Sequence, residues 1–185
     1  MFITPRAIPT PWLPLRWLAA ENNLTGRLQS ELSLLPNLKI VSFVDNHFTG
    51  TIPTEFGLIK HLIQLELHFN ELSGAIPEEI YNLVNLNNLN LAYNRLTGTI
   101  SKQAGRLKVL HDLHASKNFI TGTMPTYFGD MENLERLRLN GNLLTGTFPS
   151  EVGKLVAMEG LYLDGNILTG TLSTEIGNLV KLSEW

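Results

Sequence analysis

Two arginines, Arg136 and Arg138, flank Leu137 in a stretch where polar and apolar residues alternate. Alternation of this kind is typical of a β-strand with one buried face, and residues two apart project from the same side of a strand. Two guanidinium groups on one face are suited to binding a carboxylate through paired hydrogen bonds. The pair therefore predicts an anion-binding position, unless acidic side chains of the chain itself neutralise it as a solvated ion-pair face.

A second polar group, His111-Asp112-Leu113-His114, contains residue types that bind metals. Strand alternation turns residues three apart to opposite faces, so we expect no metal site there. The chain has no Cys, which excludes disulfides, thiolate zinc sites and thiol nucleophiles. It also shows no phosphate loop, nucleophile elbow or paired-carboxylate motif. We expect neither enzyme activity nor a cofactor.

The charge balance of the 185 residues limits the classes of partner. Charged residues make up 17% of the chain, and a net charge of −3 provides no basic surface for nucleic-acid phosphates. No apolar run reaches the roughly 18 residues of a membrane span. We therefore expect a chain that binds no nucleic acid and inserts into no membrane.

The first 14 residues form a proline-rich lead that we expect to be poorly ordered. Arg16 interrupts the apolar stretch that follows, which makes the N-terminus a poor signal peptide. One N-glycosylation sequon, Asn23-Leu24-Thr25, has a role only if the chain is secreted. Localisation is therefore left open by these residues.

A repeat of 24 residues positions all of these groups and predicts one domain over residues 15–185, with about seven repeats. An asparagine recurs at this spacing without an insertion, as Asn22, Asn46, Asn70, Asn94, Asn118, Asn142 and Asn166. Four residues after each asparagine stands a glycine. Positions below are counted from the asparagine of each repeat. Apolar residues recur at −5, −3, +2, +6, +10, +13 and +16.

The repeat predicts its own secondary structure. Alternation around −5 and −3 predicts a short strand, and strands one repeat apart must stack in parallel at about 4.8 Å. A segment that starts with Pro and acidic residues, such as 77–83, predicts one helical or 3-10 turn. The glycine at +4 falls in a second extended stretch, where we expect it to face inward because a side chain would have no room. The repeated asparagine can satisfy backbone donors and acceptors together, which predicts a structural hydrogen-bonded ladder.

The segment Leu86-Asn-Asn-Leu89-Asn-Leu91-Ala-Tyr-Asn94-Arg-Leu96-Thr-Gly98-Thr-Ile100 resembles the plant-type leucine-rich repeat found in the ectodomains of receptor-like proteins. The resemblance implies an α/β fold, a right-handed curved solenoid. A parallel β-sheet would line its concave face, and short helical or 3-10 turns its convex side. It also implies that ligands bind on the concave face and favours a place outside the cell.

The ends of the chain depart from the family pattern. The first repeat is weak, with Trp17 and Ala19 at its strand positions, and the sequence stops at Trp185 in the middle of an eighth repeat. A solenoid end without a polar cap exposes an open strand edge. We therefore expect end-to-end self-association through this C-terminal repeat.

The repeats differ from one another at the outward positions of the concave strands, where specificity can reside. Residues at the same position in neighbouring repeats touch, which places Asp112 beside Arg136 and Arg138 between His114 and Tyr162. As an ion-pair face, Arg136 would pair with Asp112 or Glu135. The predicted ligand-binding residues are Phe69, Tyr93, Asp112, His114, Lys117, Arg136, Arg138, Tyr162 and Asp164.

The resemblance implies a non-catalytic recognition module, receptor-like or adhesion-like, that binds a peptide or a protein. In some plant peptide-hormone receptors an Arg-x-Arg pair on one concave strand captures the carboxylate end of a peptide, and Arg136-Leu137-Arg138 is similarly placed. Two alternatives are open. Threonines at +3 and +5 form columns that resemble ice-binding surfaces, although Arg27 and Ala75 interrupt them. The repeat also suits an inhibitor of cell-wall hydrolases.

Overall fold

The computed structural model describes residues 15–185, so the proline-rich lead at 1–14 lies outside the described residues. The described chain forms a leucine-rich-repeat solenoid of short strands and 3-10 helices, which confirms the predicted fold. The strands are β1 Leu15–Leu18, β2 Thr25–Arg27, β3 Leu38–Ser42, β4 His47–Gly50, β5 Gln64–Glu66, β6 Glu71–Ala75, β7 Asn88–Asn90, β8 Arg95–Thr97, β9 Asp112–His114, β10 Arg136–Arg138, β11 Thr145–Gly146, β12 Gly160–Tyr162 and β13 Ile167–Leu168.

The main sheet contains one strand from each repeat. Its seven strands run in the order β1-β3-β5-β7-β9-β10-β12, and every neighbouring pair is parallel. From β3 to β12, each strand residue pairs with the residue 24 positions away in the neighbouring strand, so that Arg136 pairs with Asp112 on one side and with Gly160 on the other. Equivalent positions of successive repeats therefore form continuous rows across the sheet.

The apolar positions of the repeat build one core along the whole solenoid. In the repeat around Asn94, the side chains of Leu89, Leu91 and Leu96 are almost fully buried, as are the apolar side chains at +6, +10, +13 and +16. Burying one such side chain contributes about 1.5–3 kcal/mol. A repeat buries these side chains only when a neighbouring repeat covers them, so the stability of the molecule depends on the stacking of repeats.

The side opposite the main sheet consists of 3-10 helices, one in each repeat. These helices span Ser30–Leu34, Thr54–Leu58, Glu78–Asn82, Lys102–Arg106, Thr126–Asp130, Ser150–Lys154 and Thr174–Asn178. Pro77 precedes one of them with an extended backbone, and Glu78 and Glu79 occupy its first turn. Proline and acidic residues suit a helix start because the first N–H groups there have no partner within the helix.

A second set of strands lies beside the core, on the segment that carries the glycine at +4. Strands β2, β4, β6 and β8 form one parallel sheet, β11 and β13 form another, and Thr123 bridges to Thr145. The predicted inward position of the glycines is wrong. All seven have positive φ, and Gly122 at φ +86° would bring a Cβ to 2.8 Å from the methyl group of the exposed Thr99. The glycine is needed because its backbone is left-handed.

The repeated asparagines connect the repeats. Asn94 is buried, its Nδ2 donates to Leu67 O of the preceding repeat at 2.9 Å and to two carbonyls of its own turn, and its Oδ1 accepts from Leu72 N–H at 2.9 Å. Asn46, Asn70, Asn118, Asn142 and Asn166 make the corresponding bonds to the repeat before them. The side-chain amide of the exposed Asn22 bonds only to Ala20 O among the described residues.

Candidate ligand-binding face

The outward positions of the main sheet form a polar face, called the concave face below. In β10 the middle residue, Leu137, is buried, whereas Arg136 and Arg138 on either side of it are half-buried and point away from the core. The same alternation in β9 and β12 brings Asp112, His114 and Tyr162 next to these arginines. Five of the predicted residues therefore form one cluster.

The ion pairs of this cluster differ from the predicted ones. Arg138, not Arg136, binds Asp112: its NH1 donates to both carboxylate oxygens, at 2.8 and 2.9 Å. Arg136 pairs instead with Glu159 at 3.3 Å, across the next repeat. Glu135 lies near His111, with 4.0 Å between Glu135 Oε1 and His111 Nε2. The diagonal pairing arises because an arginine side chain is longer than the spacing between rows and reaches the neighbouring row.

The two arginines are held to different degrees. The side chain of Arg138 is 25% exposed, and its guanidinium carbon lies 5.3 Å from the centre of the Tyr162 ring in a cation–π contact. The side chain of Arg136 is 42% exposed and its partner Glu159 is 44% exposed. The pair at Arg138 is thus the more fixed of the two, and Arg136 is the guanidinium more accessible to a ligand.

Tyr162 is positioned by a further contact. Its hydroxyl donates to the carboxylate of Glu184, and this hydrogen bond is the main reason why the pKa of the phenol is raised. Glu184 belongs to the start of an eighth repeat, whose backbone bridges to Gly160. The Tyr162 ring therefore stays protonated and stands between Arg138 and the C-terminal end of the sheet.

His114 occupies the row between Asn90 and Arg138. The pKa of its imidazole is lowered to about 4, mainly by burial and also by the nearby Arg138 guanidinium, while Asp112 opposes the shift. His68, nearer the strand end, also has a lowered pKa because of burial. Both rings are therefore neutral near pH 7, where an imidazole can donate and accept a hydrogen bond.

A row of residues at position −1 follows the edge at which the concave strands end, and is called the edge row. It consists of Glu21, Asp45, Phe69, Tyr93, Lys117, Gly141 and Gly165. Every member has a left-handed backbone, and the five that are not glycine have φ of 53–55°. Bulky side chains rarely adopt this conformation, and holding one there costs on the order of 1–3 kcal/mol.

Phe69 and Tyr93 form an exposed aromatic stack in the edge row. Their ring centres lie 4.4 Å apart with an angle of 17° between the planes, and the two residues are 46% and 45% exposed. The His68 ring lies against Phe69, with 5.6 Å between centres. Two large rings are thus kept at the surface in an unfavourable backbone conformation.

After Tyr93, the edge row continues with the basic residue Lys117 and then with two glycines that have no side chain. The side chain of Lys117 lies over Gly141, where a Cβ would stand 2.7 Å from Lys117 Cδ. A Cβ at Gly165 would in turn stand 3.4 Å from the Gly141 backbone. Asp164 is exposed beside this shelf, and its carbonyl oxygen accepts the Gly141 N–H at 2.8 Å. Phe69, Tyr93, Lys117 and Asp164 therefore line an edge next to the arginine cluster.

The threonines at +3 and +5 are all exposed on the second set of strands. At +3, the hydroxyls of Thr49, Thr121, Thr145 and Thr169 donate a hydrogen bond to the carbonyl of the glycine one repeat earlier, as Thr121 does to Gly98 O at 3.0 Å. The columns are regular through four repeats, from Thr97 and Thr99 to Thr169 and Thr171. The sequon residues Asn23 and Thr25 are exposed near the other end of this surface.

Several residues of these surfaces were missed by the sequence analysis. Glu159 and Glu184 bind Arg136 and Tyr162, but neither could be paired without side-chain directions. The left-handed backbone of the edge row could have been inferred from Gly141 and Gly165, because glycine adopts this conformation readily. Phe119, Leu143 and Ile167 form an exposed apolar strip at position +1. The sequence indicates it, because the same position is polar in earlier repeats, where it holds His47, Glu71 and Arg95.

Within residues 15–185, no three His, Asp or Glu side chains are grouped so that they could hold a metal ion. None of the helices in this part of the chain has the length and apolarity needed to cross a membrane.

Models of the leucine-rich repeat match three adjoining segments, residues 61–83, 85–107 and 108–168. Together these segments run almost without a break through more than half of the chain. No curated protein matches the chain in sequence.

Solved structures of plant proteins are similar to the chain over most of its length. The ectodomain of the receptor kinase GASSHO1/SCHENGEN3 from Arabidopsis thaliana, solved with CASPARIAN STRIP INTEGRITY FACTOR 2, is 38% identical with a TM-score of 0.88, over 90% of this chain and 20% of that one. The Arabidopsis receptor kinase HAESA, solved with the peptide hormone IDA and the co-receptor SERK1, is 26% identical with a TM-score of 0.80, over 91% and 33%. A plant ice-binding protein is 25% identical with a TM-score of 0.63, over 86% and 66%.

The chain spans a fifth to a third of the two receptor ectodomains. The matching segments, the solenoid of 24-residue repeats and the likeness to plant receptor ectodomains agree on one assignment. The chain belongs to the leucine-rich repeat family, in its plant-type form.

Proposed function

We propose that the protein is a non-catalytic recognition module that binds a peptide or a protein segment on its concave face, between Phe69 and Tyr162. The observation that carries the proposal is the contrast between the uniform core and the varied face. Arginine, tyrosine and other aromatic residues gather there, and these types are enriched at the energetic centres of interfaces. The likeness to plant receptor kinases solved with bound ligands, one of them a peptide hormone, supports the same class of function.

The Arg136-Leu137-Arg138 strand is the proposed binding position for a carboxylate of the ligand, such as a peptide C-terminus. Arg136 is more than a third exposed, and its carboxylate partner Glu159 is equally exposed. A ligand carboxylate can therefore exchange with Glu159 at little cost, since exposed ion pairs contribute about 0–1 kcal/mol. Arg138 is fixed by Asp112 and Tyr162, and its remaining N–H groups would complete a two-arginine site.

The test begins with selection of binders from random peptides with free C-termini. Each selected peptide is then compared with its amidated form by calorimetry. We expect amidation to weaken binding, and expect Arg136→Ala with Arg138→Ala to cost about 2–5 kcal/mol of binding free energy. The matched control is Arg95→Ala, because Arg95 pairs with Glu71 on the second set of strands. Binding that ignores the terminal carboxylate and both arginines would refute the carboxylate site.

A second candidate function is ice binding on the threonine columns. It is favoured by the regular exposure of threonine pairs through four consecutive repeats, in three of which the +3 hydroxyl is fixed by a bond to a backbone carbonyl. On this reading the protein shows thermal hysteresis, and Thr121→Lys with Thr145→Lys abolishes it without unfolding the chain. Absence of hysteresis in the unmodified protein removes the candidate.

A further inference from the structure

The edge row contains a gap in a stack of rings. Phe69 covers one face of Tyr93, with ring centres 4.4 Å apart, which is close to the spacing of neighbouring strands. A third ring in this stack would lie at the level of Lys117. The Lys117 side chain leans over Gly141 instead, and the one cation–π contact in the described chain is that of Arg138 with Tyr162. The outer face of Tyr93 is therefore left uncovered.

The lysine beside this gap has no partner of opposite charge. In the described part of the chain no carboxylate lies within 4 Å of the Lys117 ammonium group. The Lys117 side chain lies over Gly141, and beyond it Gly165 has no side chain that could hinder an approaching ligand. The site thus combines an open aromatic face on Tyr93 with an unneutralised ammonium group at the level of Gly141, one strand spacing beyond the gap.

The backbone gives a second, independent reason to regard this arrangement as functional. Phe69 and Tyr93 have left-handed backbones, although glycine occupies the same position two and three repeats beyond Tyr93. Strained backbones and exposed rings both lower stability, and strain of this kind concentrates at ligand sites. The aromatic pair is therefore not explained by the fold, which needs only a left-handed residue at this position.

We propose that the gap binds an aromatic side chain of the peptide ligand, which stacks on Tyr93 while an acidic side chain of the same peptide pairs with Lys117. This inference rests on the proposed function and names a specific subsite for it. Strands in the sheet are about 4.8 Å apart, whereas an extended peptide advances about 3.3 Å per residue. The acidic residue therefore lies one or two positions from the aromatic one in the ligand sequence.

The test uses the full 185-residue chain and peptides selected from a random library for binding to it. Selected peptides are expected to share an aromatic residue with Asp or Glu one or two positions away. Replacing that aromatic residue by Leu should weaken binding to the unmodified chain about tenfold. Replacing the acid by its amide should weaken binding a few-fold. Both changes are made in the peptide, so they leave the fold of the protein untouched.

Three asparagine variants of the edge row give the matched comparison. Asn tolerates a left-handed backbone better than most residues, so Tyr93→Asn, Lys117→Asn and Glu21→Asn should all melt close to the parent. Tyr93→Asn should weaken binding about tenfold, and on this variant the aromatic-to-Leu peptide should lose nothing more. Lys117→Asn should remove the preference for the acid, and Glu21→Asn should bind as the parent does.

The outcomes separate the subsite from the broader function. Peptides that bind tightly but show no aromatic preference, or whose aromatic residue acts independently of Tyr93, overturn the subsite and leave peptide recognition standing. Failure to retain any peptide overturns the proposed peptide ligand, and the subsite with it.

Discussion

At the scale of single residues, the same residue type performs two different tasks in this protein. Asn94 is buried and makes four hydrogen bonds, two to the preceding repeat and two within its own turn. Asn88, six residues earlier, is half-buried on the concave face, and its Oδ1 has no hydrogen-bond partner among the described residues. Position within the repeat, not residue type, decides which asparagine supports the fold.

The asparagine ladder predicts unequal effects of one substitution at these two positions. Asn94→Ala should lower the free energy of unfolding by about 1–3 kcal/mol because it leaves buried backbone groups unpaired. Asn88→Ala should change it by less than about 0.5 kcal/mol, since the residue lies on the surface of the sheet. Denaturant melts of the two variants provide the measurement. Equal losses would contradict the ladder.

The lowered pKa of His114 predicts a dependence of stability on pH. In the unfolded chain His114 takes up a proton near its ordinary pKa of 6.5, whereas the folded protein resists protonation down to about 4. Stability contributed by the neutral ring is therefore complete above pH 6.5 and is lost progressively as the pH falls toward 4. After allowance for partial exposure, the loss should be about 1–2 kcal/mol.

The measurement compares thermal melts of the parent and His114→Gln between pH 7 and pH 4.5. The variant should lose less stability over this range than the parent, while His61→Gln at an exposed position should follow the parent. An unchanged pH dependence in His114→Gln would contradict the assignment.

At the scale of elements, the strands and turns could be predicted because each has a periodic signal. Alternation at −5 and −3 predicted β5, β7, β9 and β10, and the proline with acidic residues predicted the 3-10 turns. The ion pairs could not be predicted in the same way. Arg136 is in register with Asp112 but binds Glu159, whereas Arg138 is in register with His114 and Tyr162 but binds Asp112. The arginine side chain is long enough to reach a carboxylate in a neighbouring row, so the strand register alone does not decide the partner.

The glycine at +4 was predicted in the wrong environment for a related reason. Period-2 alternation places it on the inner side, but alternation assumes a regular extended backbone. Gly122 departs from that backbone at φ +86°, so a Cβ there would meet Thr99 of the preceding repeat. Glycine is required at this position by its left-handed backbone, and the hydrophobic pattern of the sequence does not predict that conformation.

Two glycine substitutions test this explanation. Gly122→Ala should lower the free energy of unfolding by about 1–3 kcal/mol, because alanine is strained at positive φ and its methyl group clashes with Thr99. Gly177→Ala should be neutral or stabilise by up to about 1 kcal/mol, since no atom lies within 4 Å of the added Cβ. Urea melts of both variants provide the comparison. A neutral Gly122→Ala would contradict the proposed strain.

At the scale of the whole molecule, stability comes from contacts between neighbouring repeats, and among the described residues each end repeat has a neighbour on one side only. Near the C-terminal end, Phe148, Leu161 and Trp185 line a cavity of about 290 Å³. Trp185 is 82% exposed, and the first strand of the main sheet is exposed along its full length. These surfaces carry apolar side chains that the interior repeats bury.

The exposed ends predict that the isolated 185-residue chain associates with itself, because open strand edges and apolar end faces favour pairing. Light scattering over a dilution series should show a mass that rises with concentration, and Trp185→Lys should reduce this rise. Thr147→Lys, on the threonine columns, serves as the control. A constant monomer mass at high concentration would contradict the prediction.

The central claim is that the ligand lies across the concave strands, and cross-linking tests it most directly. A selected peptide carrying a photoreactive group is irradiated with the protein, and the attachment points are read by mass spectrometry. We predict attachment between Phe69 and Tyr162 on the concave face and the edge row, and loss of attachment in the presence of excess unlabelled peptide. Specific attachment to the threonine columns or to the 3-10 turns would contradict the claim.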